Sequence, residues 1–345
     1  MSAARLLVGA LRDPAGFRAR DAAGWTALIA AARSESLLGS LAHRLADLAV
    51  PEQVARILDE ARRDHDYART QALWEAEMCR RALSPTGAPF VLLKGSAYVA
   101  AGLAAGQGRS IGDLDILVPR ESLDAAEAAL LGAGWEWVKE DAYDDFYYRR
   151  WMHELPPLIH KDRDRMIDVH HTILPLTARP TPDAAALIAA SVELDNGLHV
   201  LSPEDMIVHS AAHLFADGDL AGGLRNLWDI DRMLREFGAR EGYWERLQDR
   251  ARLHQLSGPV SRALRLAARL YGTPVAGEGR ATVADDWFER RLLARNGWGQ
   301  ETRRALRFGF YLRSHWLRMP PPMLARHLWI KATRPRRIGA AASPA

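Results

Sequence analysis

Apolar residues recur at intervals of three and four along the first part of the chain, which is the period of an amphipathic helix. One such face carries Trp25, Leu28 and Ile29. Pro51 can start a further helix that has one apolar stripe and is charged elsewhere. Prolines and a glycine in residues 84–89 then interrupt the pattern. The sequence therefore predicts an N-terminal helical region over residues 1–84.

The pattern changes to short strands after this break. The apolar run at 90–93 stops near Gly95 and Ser96, and this length and boundary are typical of a buried strand. A helix of small residues is predicted from 97 to about 103. A second strand begins at Asp113, where apolar and polar residues alternate.

Later elements of this central part are also mainly strands. The pattern predicts a helix at 122–131 and strands at 135–139, 146–155, 157–160 and 166–171. A polar turn at 161–165 leads into the strand that contains Asp168. A hairpin at this turn would bring Asp168 beside the strand of Asp113 and Asp115. We predict one strand-rich unit over residues 85–178.

Helical signals return after Pro182. Ser202 is a predicted N-cap with Pro203 at the first helical position. This helix carries His209 and His213, and the next carries Arg225, Trp228 and Asp229. Gly258 and Pro259 are predicted to break two further helices. The remaining helices are predicted at 287–293, 303–316 and 323–329. The prediction is a C-terminal helical domain at 179–335 and a disordered tail at 336–345.

Composition narrows the class of protein. The 345 residues, 48% of them hydrophobic and 26% charged, are typical of a globular protein of about two domains. Cys79 is the single cysteine, which excludes an intrachain disulfide and a cysteine metal cluster and favours the reducing cytoplasm. The N-terminus lacks a signal-peptide core, and no apolar stretch reaches the length of a membrane span.

Positive charge is concentrated at the C-terminal end. The net charge is only +3, yet ten basic residues and no acidic residue follow residue 302. Such a segment can contact nucleic acid or an anionic membrane. Arginine greatly outnumbers lysine throughout the chain, so a solvated basic helix face is the favoured interpretation. Nucleic acid is therefore a possible partner that is not favoured.

Asp113 and Asp115 point to one face of their strand, because side chains alternate along a strand. Two neighbouring carboxylates raise each other's pKa, and a strand that holds them usually has a cation between them. The alternative is an edge strand with a solvated acidic face.

A glycine–serine turn after a strand, an Asp-x-Asp pair on the next strand and a later strand aspartate resemble the signature of the DNA polymerase β-type nucleotidyltransferase superfamily. The chain resembles more closely a bacterial group of uncharacterised nucleotidyltransferases, over about residues 25–330. The residues that carry this resemblance are Leu93-Lys94-Gly95, Arg109, Asp113, Asp115, Ile167-Asp168-Val169-His170 and the segment 201–205.

The resemblance implies an α+β fold. Its core is a polymerase β-like nucleotidyltransferase unit, a small mixed sheet with helices, flanked by N- and C-terminal helical regions. It also implies a transferase that moves an NMP, with AMP from ATP as the expected case, and releases pyrophosphate. The implied acceptor is a hydroxyl or phosphate on a small molecule, a peptide or a saccharide.

Roles of individual residues follow from the same resemblance. Asp113 and Asp115 would bridge two Mg²⁺ ions, and Asp168 would bind the second ion and accept the acceptor proton. Gly95 would let the backbone approach the phosphates, and Ser96 would add a hydroxyl. The alternative for these two residues is a tight strand-to-helix turn and nothing more.

Two basic residues beside these motifs have open roles. Lys94 either contacts a phosphate or pairs with a carboxylate, and the sequence does not separate the two. Arg109 either clamps a phosphate or holds the loop before Asp113, and the second role is favoured.

Three histidines are candidates for the acceptor site. His209 and His213 are one helical turn apart, a spacing that can chelate a metal. Packing, or hydrogen bonding to Asp229, is the favoured interpretation, although in the resembling family this region faces the cleft. His170 is predicted to line the site because it shares a strand face with Asp168.

Two other functions remain in competition. Toxin-like nucleotidyltransferases that act on tRNA or protein also have Lys-Gly-Ser and an arginine before Asp-x-Asp. A catalytically silent NTP-binding protein is the third hypothesis, and the three intact aspartates oppose it. The sequence specifies neither the acceptor nor the oligomeric state.

Overall fold

The N-terminal region is helical, as its periodicity predicts. The structure, a computed structural model, describes residues 2–17, 21–139, 142–277, 280–319 and 324. The first helices are α1 (Ala3–Arg12), α2 (Ala22–Ser34), α3 (Leu38–Arg44) and α4 (Glu52–Leu83). Pro51 precedes α4 as its N-cap residue.

A seven-stranded mixed sheet lies at the centre of the chain. Its strands are β1 (Val91–Leu92), β2 (Asp113–Leu117), β3 (Trp135–Trp137), β4 (Leu158–His160), β5 (Met166–His170), β6 (Val192–Glu193) and β7 (His199–Val200). Their order is β3-β4-β5-β2-β1-β7-β6. β4 and β5 form the predicted hairpin, and β5 then pairs in parallel with β2. The predicted mixed sheet with surrounding helices is confirmed.

Ten further α-helices separate or follow these strands along the described chain. They are α5 (Lys94–Ala100), α6 (Leu123–Gly132), α7 (Ala142–Trp151), α8 (Ala184–Ala189), α9 (Pro203–Ala212), α10 (Gly223–Phe237), α11 (Tyr243–Leu253), α12 (Ser257–Tyr271), α13 (Val283–Leu292) and α14 (Arg304–Arg318). α9 continues into a π-helical turn, His213–Asp217. Ser202 caps α9 by accepting from the Asp205 amide at 3.2 Å, as predicted.

The strand predicted at 146–155 is wrong, because most of this segment is helix α7. Its aromatic residues favour strands only weakly, since strand propensity depends on the surrounding packing. In the helix, Tyr147 and Trp151 lie four residues apart and make an edge-to-face contact at 5.6 Å. This local aromatic pair stabilises the helix.

The hairpin of β6 and β7 was missed, because only helices were predicted after Pro182. Asn196-Gly197 between alternating apolar residues is a strong hairpin signal. Gly197 has a φ of 76°, in the left-handed region that favours glycine. The Leu194 amide donates to the Leu198 carbonyl at 2.8 Å and closes the turn.

Three helix starts also differ from prediction. α5 begins at Lys94 rather than at residue 97. Gly258 and Pro259 lie in the first turn of α12, where proline is tolerated, instead of breaking a helix. α13 begins four residues early because Thr282 and Asp285 form a capping box. The helix predicted at 323–329, except residue 324, and the tail predicted at 336–345 lie outside the described residues.

Buried apolar side chains form one cluster that continues through all three predicted regions. It includes Leu41 and Leu58 from the N-terminal helices, Ile116 from the sheet and Leu227 from α10. The division into domains therefore stays a prediction. No helix among the described residues is long and apolar enough to cross a membrane.

The N-terminal helices hold the loop that precedes β2. Gly39 in α3 meets Gly108 backbone to backbone, so that a Cβ on Gly39 would lie 2.5 Å from the Gly108 carbonyl oxygen. His65 of α4 accepts from the Gly108 amide at 3.0 Å, and its other ring nitrogen lies 3.2 Å from the Arg109 carbonyl. Ser40 donates to the Gln107 carbonyl at 3.0 Å. The segment leading to Asp113 is thus fixed by residues far away in sequence.

Replacing Gly39 with alanine should destabilise the protein. Its methyl group would meet main-chain atoms that cannot rotate away, so Gly39→Ala should lower the free energy of unfolding by about 1–3 kcal/mol. Gly9→Ala is the matched control, because Gly9 lies in α1 with open space where the methyl would go. Alanine there should raise stability by up to about 1 kcal/mol. Urea unfolding would measure the change in unfolding free energy for both variants. Equal changes would contradict the close approach of Gly39 and Gly108.

Candidate active site

Three carboxylates converge at the start of β2 and the middle of β5. Asp115 and Asp168 are direct partners in the parallel pairing of these strands, and Asp113 lies two residues before Asp115 on the same face. One oxygen from each of the three carboxylates lies within 4.8 Å of the others. The structure therefore brings together the three aspartates that the sequence singled out.

Asp115 is the buried member of this group, with 3% of its surface exposed. Two side chains contact its Oδ1 atom: Lys94 Nζ at 2.6 Å and His170 Nε2 at 3.0 Å. Of the two partners considered for Lys94, the carboxylate is the one observed. Lys94 itself has a φ of 49°, in the left-handed region, at the sharp turn from β1 into α5.

Ser96 lies in the first turn of α5 and lines a cleft that Asp113 and helix α4 also line. Its side chain shares a small cleft with Ile111, Gly112 and Asp113. Ser96 is 3% exposed, and its hydroxyl has no hydrogen-bond partner among the described residues. An orphaned buried hydroxyl is costly, so this position is suited to a ligand that hydrogen-bonds to it.

Gly95 and Arg109 are in contact. A Cβ on Gly95 would lie 2.9 Å from Arg109 Nε, so the glycine leaves room for the arginine to lie against the turn. The guanidinium is 5.6 Å from the Tyr98 ring centre, and its Nε is 3.4 Å from Asp229 Oδ2. The role favoured for Arg109, which is to hold the loop before Asp113, stays a prediction.

A family model described as uncharacterised nucleotidyltransferase matches residues 21–272. This span is more than half of the chain and includes every site residue described above. The chain belongs to this nucleotidyltransferase family. No curated protein matches the chain. The protein is thus a transferase of the kind that moves an NMP unit from a nucleoside triphosphate.

Charge is distributed unevenly among the three carboxylates of this nucleotidyltransferase. Burial would raise the pKa of Asp115, but Lys94 and the contact with His170 outweigh it and hold the pKa below its usual value. Burial and the neighbouring carboxylates, Asp115 first, raise the pKa of Asp168 to about 7. Burial and Asp115 also raise the pKa of Asp113. This excess of negative charge is what a divalent cation would neutralise, so the residues fit a metal site.

Histidines also lie near the triad. His209 in α9 is buried, and burial followed by the charge of Lys94 lowers its pKa well below the usual value. His213 begins the π-helical turn, a feature often found at functional sites. His170 contacts Asp115, whereas His171 points into another cleft, beside Arg120.

Two site residues were missed by the sequence argument. His153 stacks on His170 with ring centres 5.1 Å apart, and Glu154 Oε2 lies 3.3 Å from His170 Nδ1. Both fall in the segment wrongly predicted as a strand, and no spacing in the sequence links them to Asp168.

Asp229 was expected as a partner of His209 or His213, but its described partners are arginines. Arg225 Nε donates to Asp229 Oδ1 at 3.0 Å, and Arg109 is on the other side. The same Arg225 donates to Ser40 at 2.7 Å. The four-residue spacing of Arg225 and Asp229 on α10 is the signal that would have predicted their pairing.

Asp168→Asn should stabilise the metal-free protein at high pH. The folded-state pKa of about 7 exceeds the value of about 3.9 expected after unfolding, so ionisation of Asp168 opposes folding increasingly as the pH rises between these values. We expect the variant to gain roughly 1–3 kcal/mol in unfolding free energy at pH 8, and less at pH 5. Urea unfolding with a chelator present would measure this.

Asp162→Asn supplies the control, because Asp162 is exposed in the turn before β5. A gain in unfolding free energy that is equal at both pH values, or absent, would contradict the idea that ionised Asp168 is repelled by the neighbouring carboxylates.

Proposed function

We propose that the protein is a Mg²⁺-dependent nucleotidyltransferase that moves AMP from ATP to a hydroxyl or phosphate of a small-molecule, peptide or saccharide acceptor. Pyrophosphate is released. The observation that carries this proposal is the group of three carboxylate oxygens within 4.8 Å, one of which belongs to Asp113, a residue that lines the same cleft as the partnerless buried hydroxyl of Ser96. The parallel pairing of the two aspartate strands also agrees with the proposed polymerase β-like core.

The carboxylates are suited to hard divalent cations, which prefer oxygen ligands. Asp113 and Asp115 would bridge two Mg²⁺ ions, and Asp168 would hold the second. When bound, the ions would neutralise the triphosphate and make the acceptor hydroxyl more acidic.

The remaining steps belong to side chains of the protein. The Ser96 hydroxyl would donate to a phosphate oxygen, and Lys94, two residues before it, would add positive charge there. Arg109 would keep Gly95 and the turn in place. Asp168 would accept the proton of the acceptor hydroxyl, for which a raised pKa is suited. The acceptor oxygen would then bond to the α-phosphorus, and the bond to pyrophosphate would break.

We assign the choice of acceptor to the histidines near the triad. His170 adjoins Asp115, and the charges of Lys94, His170 and Asp115 all act on His209. The acceptor would therefore lie between β5 and α9, with His170, His209 and His213 as its candidate contacts.

A macromolecular acceptor, tRNA or protein, is the second candidate. Arg303, Arg304 and Arg313 line a cleft of about 710 Å³ together with Trp287 and Phe310. Arginine and aromatic side chains together suit single-stranded RNA. This cleft lies on α13 and α14, beyond the residues that the family model matches. A small acceptor remains our proposal because His170 contacts the triad, whereas no residue lining this cleft belongs to it.

Binding of ATP should require magnesium and the aspartates. Calorimetry should detect ATP binding to the unmodified protein with Mg²⁺, and Asp113→Ala or Asp115→Asn should abolish it because a ligand for the cation is lost. Asp162→Asn should bind ATP as the unmodified protein does. ATP binding that is independent of metal and of both aspartates would refute the proposal.

Label in the α-phosphate of ATP should pass to the acceptor, whereas label in the γ-phosphate should leave with pyrophosphate. Incubation with a metabolite extract, total RNA or a protein extract would identify the acceptor class. Label that enters RNA or protein alone would establish the second candidate. Tight binding without transfer to any of the three would favour a silent NTP-binding protein.

Lys94→Met should change the binding of a metal ion alone and the binding of ATP with Mg²⁺ in opposite directions. Lys94 competes with a divalent cation for Asp115, so Mn²⁺ alone should bind several-fold more tightly to the variant. ATP with Mg²⁺ should bind about tenfold more weakly, since a phosphate contact is lost. Lys161→Met is the control, because Lys161 is exposed in the turn before β5. If both affinities change in the same direction, Lys94 does not have these two roles.

A further inference from the structure

A second group of potential metal ligands lies beside the aspartates. His153, Glu154 and His170 each offer one ligand atom, and these atoms lie within 4.8 Å of one another. The segment after α7 runs along β5, where Glu154 and His170 form a bridge and the Leu155 amide donates to the Val169 carbonyl at 2.9 Å. Backbone pairing therefore fixes where these ligands lie.

The two ring nitrogens of His170 face two different carboxylates. Nε2 is 3.0 Å from Asp115 Oδ1, and Nδ1 is 3.3 Å from Glu154 Oε2. A neutral imidazole has one N–H and can donate to only one of them. A cation bound to His170 Nδ1 and Glu154 would leave the Nε2–H of His170 to donate to Asp115.

The distances around Glu154 suit a shared metal ion. Glu154 Oε2 lies 3.3 Å from His170 Nδ1 and 3.7 Å from His153 Nε2. Charge-assisted hydrogen bonds are shorter, at about 2.7–2.9 Å. Ligand atoms bound to one tetrahedral ion, with bonds of about 2.0–2.2 Å, are separated by roughly 3.3–3.6 Å.

We propose that His153, Glu154 and His170 bind a transition-metal ion such as Zn²⁺, in a site distinct from the Mg²⁺ ligands of the aspartate triad. Two imidazoles and one carboxylate prefer borderline metals, whereas an all-carboxylate set prefers magnesium. Water would complete the coordination. A metal on Nδ1 fixes the Nε2–H tautomer of His170, so that His170 donates to Asp115 and orients it.

Zinc binding to the full-length protein tests this proposal, and it does not depend on the transfer reaction. With the triad saturated by millimolar Mg²⁺, we expect one Zn²⁺ per chain. His153→Ala and Glu154→Gln should each weaken zinc binding by more than about 100-fold. Loss of a residue that only hydrogen-bonds to a ligand costs up to about 100-fold, and loss of a ligand itself should cost more. Asp113→Asn should leave it unchanged, and so should His171→Ala, a control at a neighbouring histidine outside the group.

Cobalt provides a measurement that needs no variant. Co²⁺ bound to the unmodified protein in four-coordinate form should give intense visible absorption that Zn²⁺ displaces and Mg²⁺ does not. Absence of stoichiometric zinc binding would overturn the proposal. Zinc binding that Asp113→Asn abolishes and His153→Ala preserves would place the ion at the triad and would overturn it as well.

Discussion

A buried carboxylate is unfavourable unless cations neutralise it, and Asp115 is such a group at the centre of the site. Lys94 supplies positive charge to its Oδ1 atom, and the Nε2 atom of His170 hydrogen-bonds to the same oxygen. Lys94 adopts a left-handed conformation that costs about 1–2 kcal/mol. Removing one partner of a buried ion pair costs about 3–5 kcal/mol, because the other charge is then left uncompensated. The turn after β1 therefore holds Lys94 where Asp115 requires a cation.

Helices that precede the sheet in sequence and helices that follow it both contact the segments that position the active site. His65 and Ser40 hold the main chain of the loop before β2, while Asp229 on α10 holds the side chain of Arg109. Tyr98 on α5 is joined to Ser210 on α9 by a 2.6 Å hydrogen bond. The position of Asp113 and of the Gly95 turn therefore depends on helices that carry none of the three aspartates.

The sequence could predict the features that repeat locally. Alternation placed Asp113 and Asp115 on one face, and the hairpin signal placed Asp168 beside them. The aromatic residues around Tyr147 favoured a strand in the prediction, which was wrong. Their strand preference depends on context, and here Tyr147 and Trp151 pair along a helix instead. The Asn196-Gly197 pair is a local signal of the same kind, and it indicates the hairpin of β6 and β7. His153, Glu154 and the pairing of Arg109 with Asp229 depend on contacts between distant segments, for which a single sequence has no periodic signal.

The crossing of Gly39 and Gly108 limits how this protein can be rearranged by recombination. Both surfaces are main chain, so neither can adapt by changing a rotamer. A foreign helical segment fused in front of the sheet would fit only with a glycine at the same point. Any substitution at this contact would therefore have to move the first helices and the loop before β2 together.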